Sequence, residues 1–210
     1  MIQVAEGSPT TDRLLSAAIA LLDEGGEVAV RVDAVAAAAG VKRPSIYYFF
    51  GDREGLVIAA QAERYRRTLL FGMTDQAKAV RACETPEEFR ELIRSWIRAI
   101  GGPAGVERRR VRVEVLGAAA SRPELRAKLE AADAEATRLI ANTIAIAQDR
   151  RWTGSRFDPE IGALWWIGMM NGRYLVEGSR SDEERAAWDA IASEAIVRLF
   201  GDGVPEVTPG

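Results

Sequence analysis

Apolar side chains recur along this chain with the period of a helix. Leu14, Leu15, Ala18, Ile19 and Leu22 fall on one stripe, the mark of a helix that buries one face. Ser8 or Thr10 is placed to cap its start, and Gly25-Gly26 to stop it. Further along, Thr85-Pro86-Glu87-Glu88 has the spacing of a capping box with proline in the first turn. Asp158-Pro159-Glu160 follows the same logic, and Ser121 to Glu124 and Ser181 to Glu184 repeat the S-x-x-E spacing. These signals predict helices over 10–24, 32–38, 42–48, 53–80, 86–100, 104–119, 123–149, 159–177 and 182–200. One segment departs from the rule: Arg110 to Val115 alternates charged and apolar residues, as a half-buried strand would. A lone strand has nothing to pair with, so this stretch too is read as helix. The expected fold class is all-α.

Composition narrows the chemistry. The chain has 210 residues, 48% of them apolar, enough for one ordinary domain or a small domain joined to a larger one. It contains no histidine, which removes His-dependent triads, HExxH zinc sites and imidazole bases. A single cysteine, Cys83, excludes an intrachain disulfide framework and any Cys-rich metal site. No GxSxG, P-loop, GxGxxG or CxxC pattern occurs. The expectation is therefore no enzyme, no catalytic residues, no cofactor and no metal. The longest uncharged run, Ile161 to Gly172, has twelve residues, short of the ~20 that span a bilayer. The first apolar run lacks a basic n-region and a cleavage site. A cytoplasmic protein with no membrane partner is expected.

The formal net charge of −3 gives no overall reason to suspect DNA, but a groove is met by one face only. The informative stretch is Arg31 to Leu56, RVDAVAAAAGVKRPSIYYFFGDREGL. Val32, Val35, Ala36 and Ala39 make a short apolar stripe, Gly40 tolerates positive φ, and a second short helix starts at Lys42. Two short helices joined by a glycine turn describe a helix-turn-helix. The second helix carries Lys42, Arg43, Ser45, Tyr47 and Tyr48, which are cations, hydroxyl donors and aromatic surface in about two turns. Phe49 and Phe50 are read as core. Between Arg31 and Arg53, four basic and two acidic side chains leave a local charge of +2.

Here the sequence resembles the TetR family of bacterial transcriptional regulators. The likeness runs through Arg13-Leu14-Leu15-x-Ala17-Ala18, Val32-x-x-Val35-Ala36-x-x-Ala39-Gly40-Val41, and Ser45-Ile46-Tyr47-Tyr48-Phe49-Phe50-x-x-Arg53-x-x-Leu56. It covers roughly residues 10–58. Weaker echoes follow at Arg110-x-x-x-Glu114-Val115-Leu116 and Arg122-Pro123-Glu124-Leu125-Arg126. The resemblance implies a three-helix DNA-binding head and a larger helical body that binds a small ligand and dimerises. It divides the chain into a head over 1–55, a body over 56–203 and a flexible tail over 204–210. It places Tyr47 and Arg53 on phosphates, and Lys42, Arg43, Pro44 and Tyr48 on base edges. Ser45 donates to either, and the guanidinium of Arg31 reaches a phosphate. Three departures stand out: Arg31 replaces a capping threonine, Phe49 a histidine or tyrosine, and no basic arm precedes the first helix.

In the body, Ile93, Trp96, Ile97 and Ile100 give one helix a wide apolar face, and Trp165, Trp166, Met169, Met170 and Tyr174 crowd another. Such side chains adapt to an apolar or planar ligand, with Arg110, Glu114, Asn171 and Arg173 as orienting polar groups. An ordinary core is the competing reading of the same stripes. Arg108-Arg109-Arg110-x-Arg112 spreads around a helix and is read as a solvated face paired with Glu107 and Glu114. The last two helices suggest a homodimer interface, through Ile161, Leu164, Trp165, Gly168 and Leu175 on one and Trp188, Ile191, Ala192, Ala195, Ile196, Leu199 and Phe200 on the other. Burial of those stripes within one chain is the alternative.

The function expected is a homodimeric, ligand-responsive repressor of a near-palindromic double-stranded DNA operator, released by a small-molecule effector. The rival is a helical ligand-binding protein or enzyme whose N-terminal motif is only structural.

Overall fold

Ten α-helices and one 3-10 turn make up the described residues, 8–153 and 157–199 of a computed structural model, with no strand among them. In chain order they are α1 (Pro9–Gly25), the turn Glu27–Ala29, α2 (Val32–Ala39), α3 (Arg43–Phe50), α4 (Arg53–Leu69), α5 (Met73–Ala82) and α6 (Pro86–Gly101). Then come α7 (Pro103–Ala119), α8 (Pro123–Asp149), α9 (Pro159–Glu177) and α10 (Asp182–Val197). The alternating segment Arg110–Val115 lies inside α7, as its lack of a partner strand requires. Phe200 and the expected tail over 204–210 lie outside the described residues.

Four of the helix starts predicted from the sequence carry their side-chain caps. Ser8 accepts from the Thr11 amide, Thr85 from that of Glu88, and Asp158 from those of Glu160 and Ile161. Ser181 and Glu184 form a complete reciprocal capping box. Each cap satisfies amides that a helix start leaves without partners.

One helix is wrong in the sequence reading. The continuous helix expected over 53–80 is two, α4 ending at Leu69 and α5 beginning at Met73. Gly72 sits between them at φ +73° and ψ −4°, a left-handed conformation that side-chain-bearing residues adopt only at a cost. Leu69, Leu70 and Met73 continue the apolar pattern across the break, which hides it from periodicity.

The chain forms two compact units. The first runs to Arg67 and takes in Val115–Glu130; the second holds Thr68–Glu114 and the chain from Ala131 onward. All three boundaries between the units fall inside helices, α4, α7 and α8, whereas a head over 1–55 is a division by role. The first unit is built on Leu14, Ala18 and Leu22 of α1, Val35, Ala36 and Ala39 of α2, Ile46 of α3, and Leu56, Val57 and Ala60 of α4. Phe49 and Phe50 pack against this core. The second unit is centred on Val80, Phe89, Ile93, Ile97, Ile144, Trp152 and Ile196.

Candidate nucleic-acid interface and body cavity

The first unit presents its short third helix to solvent. Ile46 is wholly buried and fixes α3 against the core, and Gly40, at φ +64°, makes the left-handed turn that ends α2. With Ile46 and the two phenylalanines facing inward, the other side of α3 must face out. Lys42, Arg43, Pro44, Tyr47 and Tyr48 are exposed, Ser45 is half-buried, and Arg31 is exposed at the start of α2. Tyr48 packs edge-on against Phe49, with ring centroids 5.0 Å apart.

Two of the cations on this face already have partners. Arg43 donates through Nε and Nη2 to the carboxylate of Asp33 on α2, a pair in which both side chains are more than half exposed. The hydrogen bonds hold the Arg43 guanidinium above its ordinary pKa. Arg53 donates through Nε to the Val30 carbonyl at 2.8 Å and through Nη2 to that of Glu27. Its guanidinium therefore braces the turn that leads into α2.

A ring of further pairs ties this unit together. Arg122 donates through Nη2 to Glu27 at 2.7 Å, and its Nε lies 3.1 Å from Glu54. Arg64, buried, donates to Asp23 at 2.7 Å. Spacing along the chain carries no signal for such pairs, because Arg122 and Glu27 are 95 residues apart.

The second unit contains a cavity of about 340 Å³, within the usual size of small-molecule sites. Five of the predicted ligand residues line it: Trp96, Ile100, Trp166, Met170 and Asn171. The other five do not. Trp165 is on the outer surface of α9. Met169 packs against the body core, and Tyr174 is half-buried away from the lining. Arg110 is engaged with Glu107, at 2.9 Å, and with Glu114 on the outside of α7. The periodic stripe on α9 is broad, and only one edge of it meets the cavity.

The sequence reading missed the other side of the wall. Phe71, Met73 and Gln76, around the α4–α5 break, line the cavity with Arg108, Arg112 and Ile140. Reading the arginine run as a solvated face is a mistake for three of its four members. Arg109 and Arg112 are buried and Arg108 is half-buried; Arg110 alone makes the expected pairs with Glu107 and Glu114. Arg108 and Arg112 are one helical turn apart, so both reach one wall.

Arg109 belongs to a closed charge network. Its Nη2 donates to Glu177 at 2.6 Å and its Nη1 to the Ile100 carbonyl at 2.6 Å. Arg173, expected among the orienting groups of the ligand, instead binds Glu177 and both oxygens of Asp189, the latter at 2.6 and 2.9 Å. Two guanidinium and two carboxylate groups thus neutralise one another inside the body. Burial and the neighbouring Arg173 push Arg109 down to about 10, so it remains a cation at neutral pH.

On the outside of the body, α9 exposes Ile161, Leu164, Trp165, Leu175 and Val176. Gly168 and Gly172 open on to empty space along the same helix. The stripe on α10 divides: Ile191 is exposed, whereas Ala192 and Ile196 are buried within the chain. No helix among the described residues is long and apolar enough to cross a membrane.

Residues 14–60 match the family model of bacterial regulatory proteins, tetR family. No curated protein matches the sequence. Among solved structures, a protein described as a TetR-family transcriptional regulator from Rhodococcus sp. is similar over 91% of this chain and 98% of its own, with 23% identity and a TM-score of 0.65. One so described from Mesorhizobium loti is similar over 91% and 96%, with 20% identity and a TM-score of 0.65. The multidrug binding protein EbrR, complexed with imidazole, is similar over 96% and 99%, with 22% identity and a TM-score of 0.57. At these identities the likeness is one of fold. Residues 14–60 thus carry the N-terminal segment of bacterial regulatory proteins of the tetR family, and the chain shares its fold with proteins described as TetR-family transcriptional regulators.

Proposed function

We propose that the protein is a homodimeric repressor that binds a near-palindromic operator and is released from it by a small apolar or planar effector. The observation that supports this most directly is the outward face of α3, where Lys42, Arg43, Tyr47 and Tyr48 stand exposed on a short helix locked by Ile46. An exposed pair of tyrosines flanked by cations is costly in water and suited to a groove lined by phosphates. In this reading Lys42, Arg43, Pro44 and Tyr48 meet base edges, and Tyr47, Ser45 and Arg31 meet phosphates. Arg53 reaches a phosphate only by exchanging the Val30 and Glu27 carbonyls, so its first part is to hold the turn before α2.

Dimerisation through α9 and α10 would cover the apolar stripe from Ile161 to Val176 together with Ile191. Two copies of α3 then enter successive major grooves about 34–36 Å apart. The effector site is the cavity between Trp96 and Trp166, and the domain roles divide near residue 55. A structure of the same fold, EbrR, is named a multidrug binding protein, which agrees with an aromatic cavity that takes an exogenous small molecule. Ligand acts by preferring a conformation unfit for DNA. A near-complete switch needs a preference of about 5 kcal/mol.

The test is titration of the purified protein against its own upstream DNA at several salt concentrations. A specific complex with a steep negative salt slope is expected. A folded dimer that shifts no genomic fragment would overturn the reading.

A further inference from the structure

The cavity of the body is lined by more basic than acidic side chains. Three charged side chains line it, Asp75, Arg108 and Arg112. The Asp75 carboxylate is 84% exposed and lies 3.6 Å from Lys78 Nζ, so its charge is spent in water beside a cation of its own. Arg112 is buried and donates to the Thr68 carbonyl at 3.3 Å. Arg108 is half-buried, with its guanidinium carbon 4.3 Å from the ring centroid of Phe71. No carboxylate among the described residues pairs with it. The adjacent Arg109 adds to the strain on this charge, because burial first and Arg109 second push Arg108 below its ordinary pKa. The carboxylates of Glu177 and Asp189 give no relief, since both are already bound to Arg109 and Arg173.

Most of the remaining wall is apolar and flat-sided, formed by Trp96, Ile140, Trp166 and Met170, and its other polar groups, Thr68, Gln76 and Asn171, are neutral. A partly desolvated guanidinium next to aromatic walls is stabilised most by a ligand that supplies a planar anion at one end. A neutral or cationic ligand would instead complete the desolvation of Arg108 without replacing the lost water.

We propose that the cavity binds an amphiphilic carboxylate, its apolar body against Trp96 and Trp166 and its carboxylate received by Arg108. This rests on the reading of the cavity as the effector site and names the chemical class of that effector.

The experiment is calorimetric titration of the full chain with 2-naphthoate, 2-naphthamide and 2-naphthylmethylammonium, which share one ring system and differ in charge. The carboxylate should bind at least tenfold more tightly than either of the others. Arg108→Gln should abolish that preference while leaving the amide's affinity unchanged, which also shows that the variant is folded, and Arg108→Lys should restore part of it. Equal binding of the three, tighter binding of the ammonium, an unchanged preference in Arg108→Gln, or no binding of any of them at millimolar concentration would each overturn the proposal. Operator binding measured in the same solutions separates the two readings. A carboxylate that occupies the cavity without loosening DNA defeats release by effector and leaves the anion site standing. Release by the ammonium, unaffected by Arg108→Gln, does the reverse.

Discussion

Arg122 grips Glu27 with both of its terminal nitrogens. The pair joins the start of α8 to the turn that leads into α2, and Arg53 braces the same turn from α4. The hydrogen bonds from Arg122 hold the Glu27 carboxyl below its ordinary value of 4.5. A carboxylate depressed on folding contributes stability that is fully present above the unfolded value and is lost as pH falls through the folded one. Glu27→Gln should therefore lower the thermal midpoint at pH 5–7 by a constant amount. The gap from the parent protein should close on acidification below about pH 4.5. A gap independent of pH would show that the ionised pair is not the source of the loss.

The Asp33–Arg43 pair makes a second prediction, at the DNA surface. Asp33 holds a carboxylate against Arg43 on the face proposed to meet DNA, so Asp33→Asn should release the guanidinium and tighten binding by about two- to fivefold. Arg43→Ala should relax base preference at one position of each half-site, by about 1–3 kcal/mol. Tyr47→Ala should weaken all operators alike. Fluorescence anisotropy with an operator panel at three salt concentrations distinguishes these outcomes. An Asp33→Asn protein with weaker binding would mean that Arg43 needs its acid for placement.

The α9 surface sets a third. Leu175 is 78% exposed, so Leu175→Glu should leave the helical content of the chain intact and convert a sedimenting dimer to a monomer. Ile196→Glu, at a position of α10 with no exposure, should instead unfold the body. A dimer that survives Leu175→Glu would move the interface elsewhere.

The buried charge network gives a fourth. Glu177 receives both Arg109 and Arg173; its loss leaves Arg109 without a carboxylate, while Arg173 keeps Asp189, so one positive charge in the interior is left uncompensated. Glu177→Gln should cost about 3–5 kcal/mol, read as a lowered denaturant midpoint with an unchanged slope. Asp189→Asn should cost less, because that carboxylate is 24% exposed and water can replace part of what is lost.

The sequence makes the head legible almost residue by residue. Its helices are short, amphipathic and punctuated by Gly40 and Gly51, so the pattern that buries Val35, Ala36 and Ile46 also exposes Tyr47 and Tyr48. The body is less readable, for two physical reasons. At the α4–α5 break the apolar period continues through Leu69, Leu70 and Met73, while the backbone turns at Gly72. Along α7 charged side chains face inward to meet groups distant in the chain, Glu177 of α9 for Arg109, the Thr68 carbonyl for Arg112 and the Phe71 ring for Arg108. Neither the turn nor the distant partner leaves a local mark. The cavity was therefore half predicted, through Trp96, Ile100, Trp166, Met170 and Asn171, and the arginine side of its wall was not.

The closed set of Arg109, Arg173, Glu177 and Asp189 also constrains how this body can diverge. Any single replacement leaves a charge without its counterpart, whereas exchange of all four for apolar residues of similar volume is close to neutral. The intermediate sequences are the unstable ones. These four positions on α7, α9 and α10 should therefore change together or stay fixed, while Arg108, with no carboxylate to keep it in place, is free to vary as the ligand does.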